Sequence, residues 1–206
     1  MAGSMRRAAL GCRTHSGWAA LVAIAGPPGS PEVIDRRRIE IADPGIRGSK
    51  QPYHAAEPLD FKAAEAFLKR CATSSADLAQ RALREAMEDL HGIGYQLASC
   101  GLTLASGRTL PELSAVLKSH ALIHTAEGEF YRNALAEAGE RCGLPVVGVK
   151  ERDIYDRGAA HLHIAANELE RRIADLGKPV GPPWSQDQKY AALAAWLALA
   201  NYPSER

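Results

Sequence analysis

The sequence predicts an α/β fold: one mixed sheet, antiparallel in its first strands, with helices on both faces. Three observations carry this. Three apolar runs lie within the first 42 residues, separated only by short turns, which favours antiparallel pairing. From residue 59 onward, helical spacing alternates with short apolar runs, the pattern of strands joined through helices. The chain has 206 residues, 46% apolar and 24% charged, ordinary values for one well-buried domain. A single domain over 1–206 is expected.

In chain order, residues 7–12 read as a first strand, Arg13-Thr-His-Ser-Gly17 as a turn, and residues 18–25 as a second strand. Gly26-Pro-Pro-Gly-Ser-Pro31 is a turn without the lysine of a phosphate-binding loop. Residues 32–42 place Val33, Ile39 and Ile41 among arginines, as on a partly exposed edge strand. Residues 43–58 hold Pro44, Gly45, Gly48, Pro52 and Pro58 and are expected to form a flexible loop or lid. Residues 59–90 read as helix, with Thr73-Ser-Ser-Ala-Asp77 offering a break and a fresh cap. A strand over 95–105 and a short helix over 110–117, opened by Thr109 and Pro111, follow.

The stretch Ser119-His-Ala-Leu-Ile-His-Thr-Ala-Glu-Gly-Glu-Phe-Tyr-Arg132 is the centre of interest. Residues 121–124 read as the end of a strand, which puts His120, Leu122 and His124 on one face by period-two geometry. A helix over 126–142 follows, stopped by Gly143. Polar side chains at a strand's carboxyl end, beside a helix amino terminus, occupy the usual address of a site in an open α/β sheet. Residues 145–149 are a further strand, 157–176 a helix closed by Gly177, and Ser185 caps a C-terminal helix over 185–200.

A net charge of +1 excludes nucleic-acid affinity driven by overall charge and leaves only local basic patches to supply it. Arg36-Arg-Arg38 alternates faces on its strand, a ridge and not a patch. No apolar run reaches the length of about 18 residues that spans a bilayer, so a cytoplasmic protein with no membrane partner is expected. Cys12, Cys71, Cys100 and Cys142 are widely spaced, which argues for reduced, mostly buried thiols and against structural zinc.

Imidazole and carboxylate side chains together suit zinc or another divalent transition metal. His120 and His124 are the candidate ligands, with Glu127, Glu129 and Asp153 as candidate catalytic carboxylates. The plainer reading makes His120 a core histidine bonded to backbone and His124 a strand-end residue, and leaves the glutamates solvated in a first helical turn, where they favour the dipole. Arg13, His15 and Ser16 offer a cation, an imidazole and a hydroxyl for an anion such as phosphate. Arg132 joins this binding set, and pairs with Glu129 along one helix face. Asp153 and Asp156 are also placed to cap the helix that follows.

Three segments carry a family resemblance: Leu10-Gly-Cys-Arg-Thr-His-Ser-Gly-Trp18, Leu122-Ile-His-Thr-Ala-Glu127, and Gln186-Asp-Gln-Lys-Tyr-Ala-Ala-Leu-Ala194. With the strand and helix order, they resemble the ribonuclease H-like superfamily, and within it bacterial Holliday-junction resolvases. The resemblance implies a first strand ending in an acid, a later strand with a glutamate near its end, and a closing helix whose start carries aspartates. The chain departs from this pattern, with Cys12 and Arg13 on the first strand and Ala191 where the second aspartate of the closing helix falls. Asp187 remains available, and Glu127 or Glu129 would stand for the central acid.

The reading is therefore a degenerate ribonuclease H-like domain that binds a nucleic acid or a phosphate-bearing partner without an intact two-metal centre. Its site is expected where Arg13, His15, His124, Glu127, Glu129 and Asp153 converge. One alternative is a hydrolase or nuclease using one divalent metal ion at His124 and Glu127. Another is an interaction scaffold whose last helix, over 189–200, docks a partner or a second copy, with Trp184 and Trp196 as exposed anchors.

Overall fold

The computed structural model describes residues 5–105 and 109–201. Five strands, β1 (Arg6–His15), β2 (Trp18–Ala25), β3 (Glu32–Glu40), β4 (Tyr95–Leu104) and β5 (Val146–Lys150), form one sheet in the order β3-β2-β1-β4-β5. β1, β2 and β3 pair antiparallel, whereas β1–β4 and β4–β5 are parallel. The mixed sheet expected from the sequence is present. Gly17 turns the β1–β2 hairpin at φ 85°, a conformation that a side chain opposes.

One face of the sheet carries α2 (Phe61–Gly92) and α4 (His120–Arg141), packed on Leu10, Cys12, Leu21 and Leu102. The other carries α5 (Ile154–Leu162), α6 (Ala166–Asp175) and α7 (Gln186–Leu199), packed on Ala9, Val22, Ile24 and Val149. The alternation of Ala9 with Leu10 and Val22 with Leu21 is the period-two division of a strand buried on both sides. Two short helices, α1 (Pro52–Ala56) and α3 (Leu113–Val116), lie between these elements.

The alanine-rich α7 lies against two glycines. A Cβ on Gly11 would stand 1.9 Å from the Ala191 carbonyl oxygen, and one on Gly101 would stand 2.1 Å from that of Ala194. Gly11 and Gly101 are register partners across β1 and β4, so the two strands open a smooth trough for the helix. Ser185 caps α7 through a capping box with Gln188.

Several expected elements differ. Residues 121–124 are not a strand: α4 begins at His120. Its buried positions Ile123, Ala126, Glu127, Phe130, Tyr131, Ala134, Leu135 and Ala138 follow the three-and-four spacing of one helical stripe. The helix thus starts at His120, six residues before residue 126 where the period-two reading placed it. The helix break at 73–77 does not occur either, because the Ser74 hydroxyl donates to Asp43 at 2.7 Å and the Ser75 hydroxyl to the Ile41 carbonyl at 2.7 Å. These hydroxyls hold the chain after β3 instead of capping a new helix. Residues 157–176 divide into α5 and α6 at His163, which adopts φ 55°.

Trp196 is fully buried and its indole donates to the Pro28 carbonyl at 3.1 Å. Trp184 packs its ring against Gly177 and donates to the Ile173 carbonyl at 2.9 Å. Neither is an exposed anchor, so the scaffold reading loses the surface it requires. Cys12, Cys71 and Cys100 are buried and free, as expected. The Cys12 and Cys100 sulfurs approach to 4.0 Å, and this hydrogen bond together with burial pushes the Cys12 thiol well up. No helix among the described residues is long and apolar enough to cross a membrane.

Candidate functional site

Two clusters emerge, on opposite faces of the sheet. The first lies at the carboxyl end of β1, β4 and β5. Gly11, Arg13 and His15 alternate onto the face that receives α7, which brings Arg13 and His15 to the start of that helix. Arg13 donates Nε to Glu151 at 3.1 Å and a terminal nitrogen to the other Glu151 oxygen at 2.6 Å. This is the forked pairing that a guanidinium makes with a carboxylate. Its remaining terminal nitrogen bonds Asp187, and its plane stands 5.1 Å from the Tyr190 ring centre. His15 Nε2 is 2.8 Å from the same Asp187 oxygen, and its ring stacks on Trp18 at 4.3 Å. Burial disfavours the Asp187 carboxylate, but the hydrogen bonds with His15 and Arg13 outweigh it and hold the carboxyl below its ordinary value.

Beside this network is a cavity of 430 Å³ lined by Leu104, Arg132, Lys150, Glu151, Arg152 and Tyr190. Arg132 reaches it from α4 and donates Nε to the Thr103 carbonyl at 3.1 Å and a terminal nitrogen to the Gly128 carbonyl. Thr103, next to last in β4, is fully buried, and its hydroxyl has no hydrogen-bond partner among the described residues. Ser16 is exposed in the β1–β2 turn. Asp153 lies in a 3-10 turn after β5, where a hydrogen bond with Arg152 at 2.8 Å lowers its carboxyl. It makes no side-chain cap to α5.

The second cluster joins α1 to α4. His120 and His124, one helical turn apart, bring their Nε2 atoms to 3.0 Å. His54 of α1 stacks edge-on against both, with ring centres 5.6 and 4.9 Å away. Glu127 is buried and faces α1. Its Oε1 accepts the backbone N–H groups of Tyr53 at 2.8 Å and His54 at 3.0 Å, and lies 3.1 Å from His54 Nδ1. Burial first, and the Glu127 charge second, push the neighbouring Tyr131 hydroxyl up.

The expected single constellation is thus divided. Arg13 and His15 belong to the sheet-end network. His120, His124 and Glu127 belong to the α1–α4 cluster, while Asp153 pairs locally. Glu129 and Glu127, two apart on a helix, point away from each other, and Glu129 lines a separate groove with Lys69, Phe130 and Asn133. Arg132 bonds backbone carbonyls where pairing with Glu129 was expected. Sequence reading missed His54, Glu151 and Tyr190. The i, i+4 spacing of His120 and His124 was the available signal for a shared helix face, whereas His54 sits in a segment read as loop.

No protein-family model and no curated protein matches the chain. Solved structures do. The Thermus thermophilus RuvC structure aligns with a TM-score of 0.52 and 12% identity, covering 94% of this chain and 95% of that one. T. thermophilus RuvC in complex with Holliday junction substrate aligns with a TM-score of 0.52 and 10% identity, covering 95% and 94%. With its five-stranded mixed sheet between two helical layers, the chain has the ribonuclease H-like fold of these RuvC structures.

Proposed function

We propose that this chain is a degenerate ribonuclease H-like domain that binds a nucleic acid or phosphate-bearing partner at the carboxyl end of its sheet without a two-metal nuclease centre. The carrying observation is Arg13. Two-metal cleavage needs free carboxylates converging on cations about 4 Å apart. Here a guanidinium stands at the end of the central strand and engages both Glu151 and Asp187. The neighbouring strand ends in Thr103 and Leu104, and Ala191 stands where the second aspartate falls, its backbone so close to β1 that a Cβ at Gly11 would meet the Ala191 carbonyl.

Binding has better support than cleavage. Arg132, Lys150 and Arg152 put three cationic side chains around one cavity, with the Tyr190 ring beside them. Cations for phosphates and a ring for a base are the usual elements of nucleic-acid contact. Arg13, committed to its carboxylates, positions this edge and leaves anion contact to the other cations. The structural likeness to a resolvase captured on a Holliday junction supports the class of partner.

Fluorescence anisotropy with labelled four-way, duplex and single-stranded DNA tests the reading. Binding that weakens in a Lys150→Ala, Arg152→Ala double variant is expected, with every strand intact after incubation with magnesium or manganese. Metal-dependent strand cleavage lost in Asp187→Asn would overturn it.

A further inference from the structure

We infer that His54, His120 and His124 form a zinc site, with Glu127 as the carboxylate that orients His54. The site is independent of the sheet-end cavity and of any nucleic-acid partner.

The geometry is that of three ligands on two elements. Each histidine offers a ring nitrogen, and the three atoms lie within 4.8 Å of one another. A tetrahedral zinc holds nitrogens at about 2.0–2.1 Å, which separates any two of them by about 3.4 Å. The His120–His124 separation of 3.0 Å is already close to that spacing. His54 needs to move inward by about 1.4 Å at most, within the reach of small χ changes.

Glu127 supplies what a metal-binding histidine requires behind it. A carboxylate on one ring nitrogen fixes the tautomer and leaves the other nitrogen free to ligate. Glu127 Oε1 sits 3.1 Å from His54 Nδ1, so Nε2 is the nitrogen turned to the metal. The same oxygen accepts the Tyr53 and His54 backbone N–H groups, so the carboxylate fixes both ring and helix. Its other oxygen is buried and unpaired among the described residues. A buried carboxylate without a full set of partners is costly, and a dication on the adjoining imidazole provides countercharge.

The donor set selects the metal class. Three imidazoles suit zinc and its first-row neighbours, whereas magnesium and calcium take oxygen ligands. His120 and His124 are exposed, so the ion has a path in and a fourth position open to water or a small anion. Occupancy ties α1, within the segment after β3, onto α4.

The test uses the full chain freed of any polyhistidine tag and titrated with zinc against a chromophoric zinc indicator. About one zinc per chain is expected, with tetrahedral visible bands when cobalt replaces it. The site is lost in His54→Ala, His120→Ala and His124→Ala, and kept in His91→Ala, which is remote from it. Glu127→Gln weakens affinity by about 10–100-fold, as loss of an orienting partner does. Absence of zinc binding in the wild type, or full affinity retained in His54→Ala, overturns the proposal. If His54→Ala does not fold, the exposed His120 and His124 variants decide the matter by the same criterion.

Discussion

Gly11 on β1 and Ala191 on α7 are in direct backbone contact: a Cβ at position 11 would meet the Ala191 carbonyl oxygen at 1.9 Å and the Ala195 nitrogen at 2.6 Å. The obstruction is backbone on both counts, so no side-chain rotation relieves it. Gly11→Ala must push α7 off the sheet, and α7 covers β1, β2 and β4 together. Overpacking of this kind costs about 1–3 kcal/mol or more, and the upper end is expected here. Urea unfolding should show a lowered midpoint, and Gly101→Ala should behave alike.

Glu127 fixes a helix at the expense of burying a charge. Removing its side chain in Glu127→Ala strands the Tyr53 and His54 backbone donors beneath α4, at about 1–3 kcal/mol for donors left unsatisfied. Glu127→Gln keeps an acceptor at that place and should recover part of the loss. Hydrogen exchange at Tyr53 and His54 locates the effect: protection should fall there first in Glu127→Ala, while β1 amides stay protected at the level of global unfolding.

The sheet was legible because strands buried on both faces leave near-continuous apolar runs, as residues 18–25 do, and because Gly26-Pro-Pro-Gly punctuates them. The site was less so. A stripe that begins Ala-Leu-Ile looks like a strand over four residues, and only the continuation through Phe130, Leu135 and Ala138 reveals helix. Placing those four residues in a strand put His120 and His124 at a sheet edge they do not reach. The partners of Arg13 were hidden for another reason. Glu151 and Asp187 lie 138 and 174 residues away in sequence, and no local spacing encodes a contact that tertiary packing makes.

The cations around the sheet-end cavity set a salt dependence. Each phosphate contact releases condensed counterions, so the slope of log affinity against log salt changes by about 0.7–0.9 for each contact removed. If Lys150 and Arg152 each meet one phosphate, the double alanine variant should flatten that slope by about 1.4–1.8. Tyr190→Ala should leave the slope alone and weaken single-stranded binding, since stacking carries no counterion term and contributes about 1–3 kcal/mol per base. Anisotropy titrations at several salt concentrations separate the two effects.

Asp187 makes the sheet-end network sensitive to acid. Burial opposes its ionisation, yet His15 at 2.8 Å and the Arg13 guanidinium hold its carboxyl below the ordinary range. A carboxyl depressed in the folded state adds stability above its unfolded value, about 3.9 for aspartate. That stability is lost as pH falls through the folded value, because the proton taken up breaks the pairing. Wild-type protein should therefore exceed Asp187→Asn in Tm at neutral pH, and the gap should close as pH falls below about 4. Scanning fluorimetry of both proteins across that range reads the gap directly. A difference in Tm that stays constant with pH would assign the role of Asp187 to its shape at the start of α7 and not to its charge.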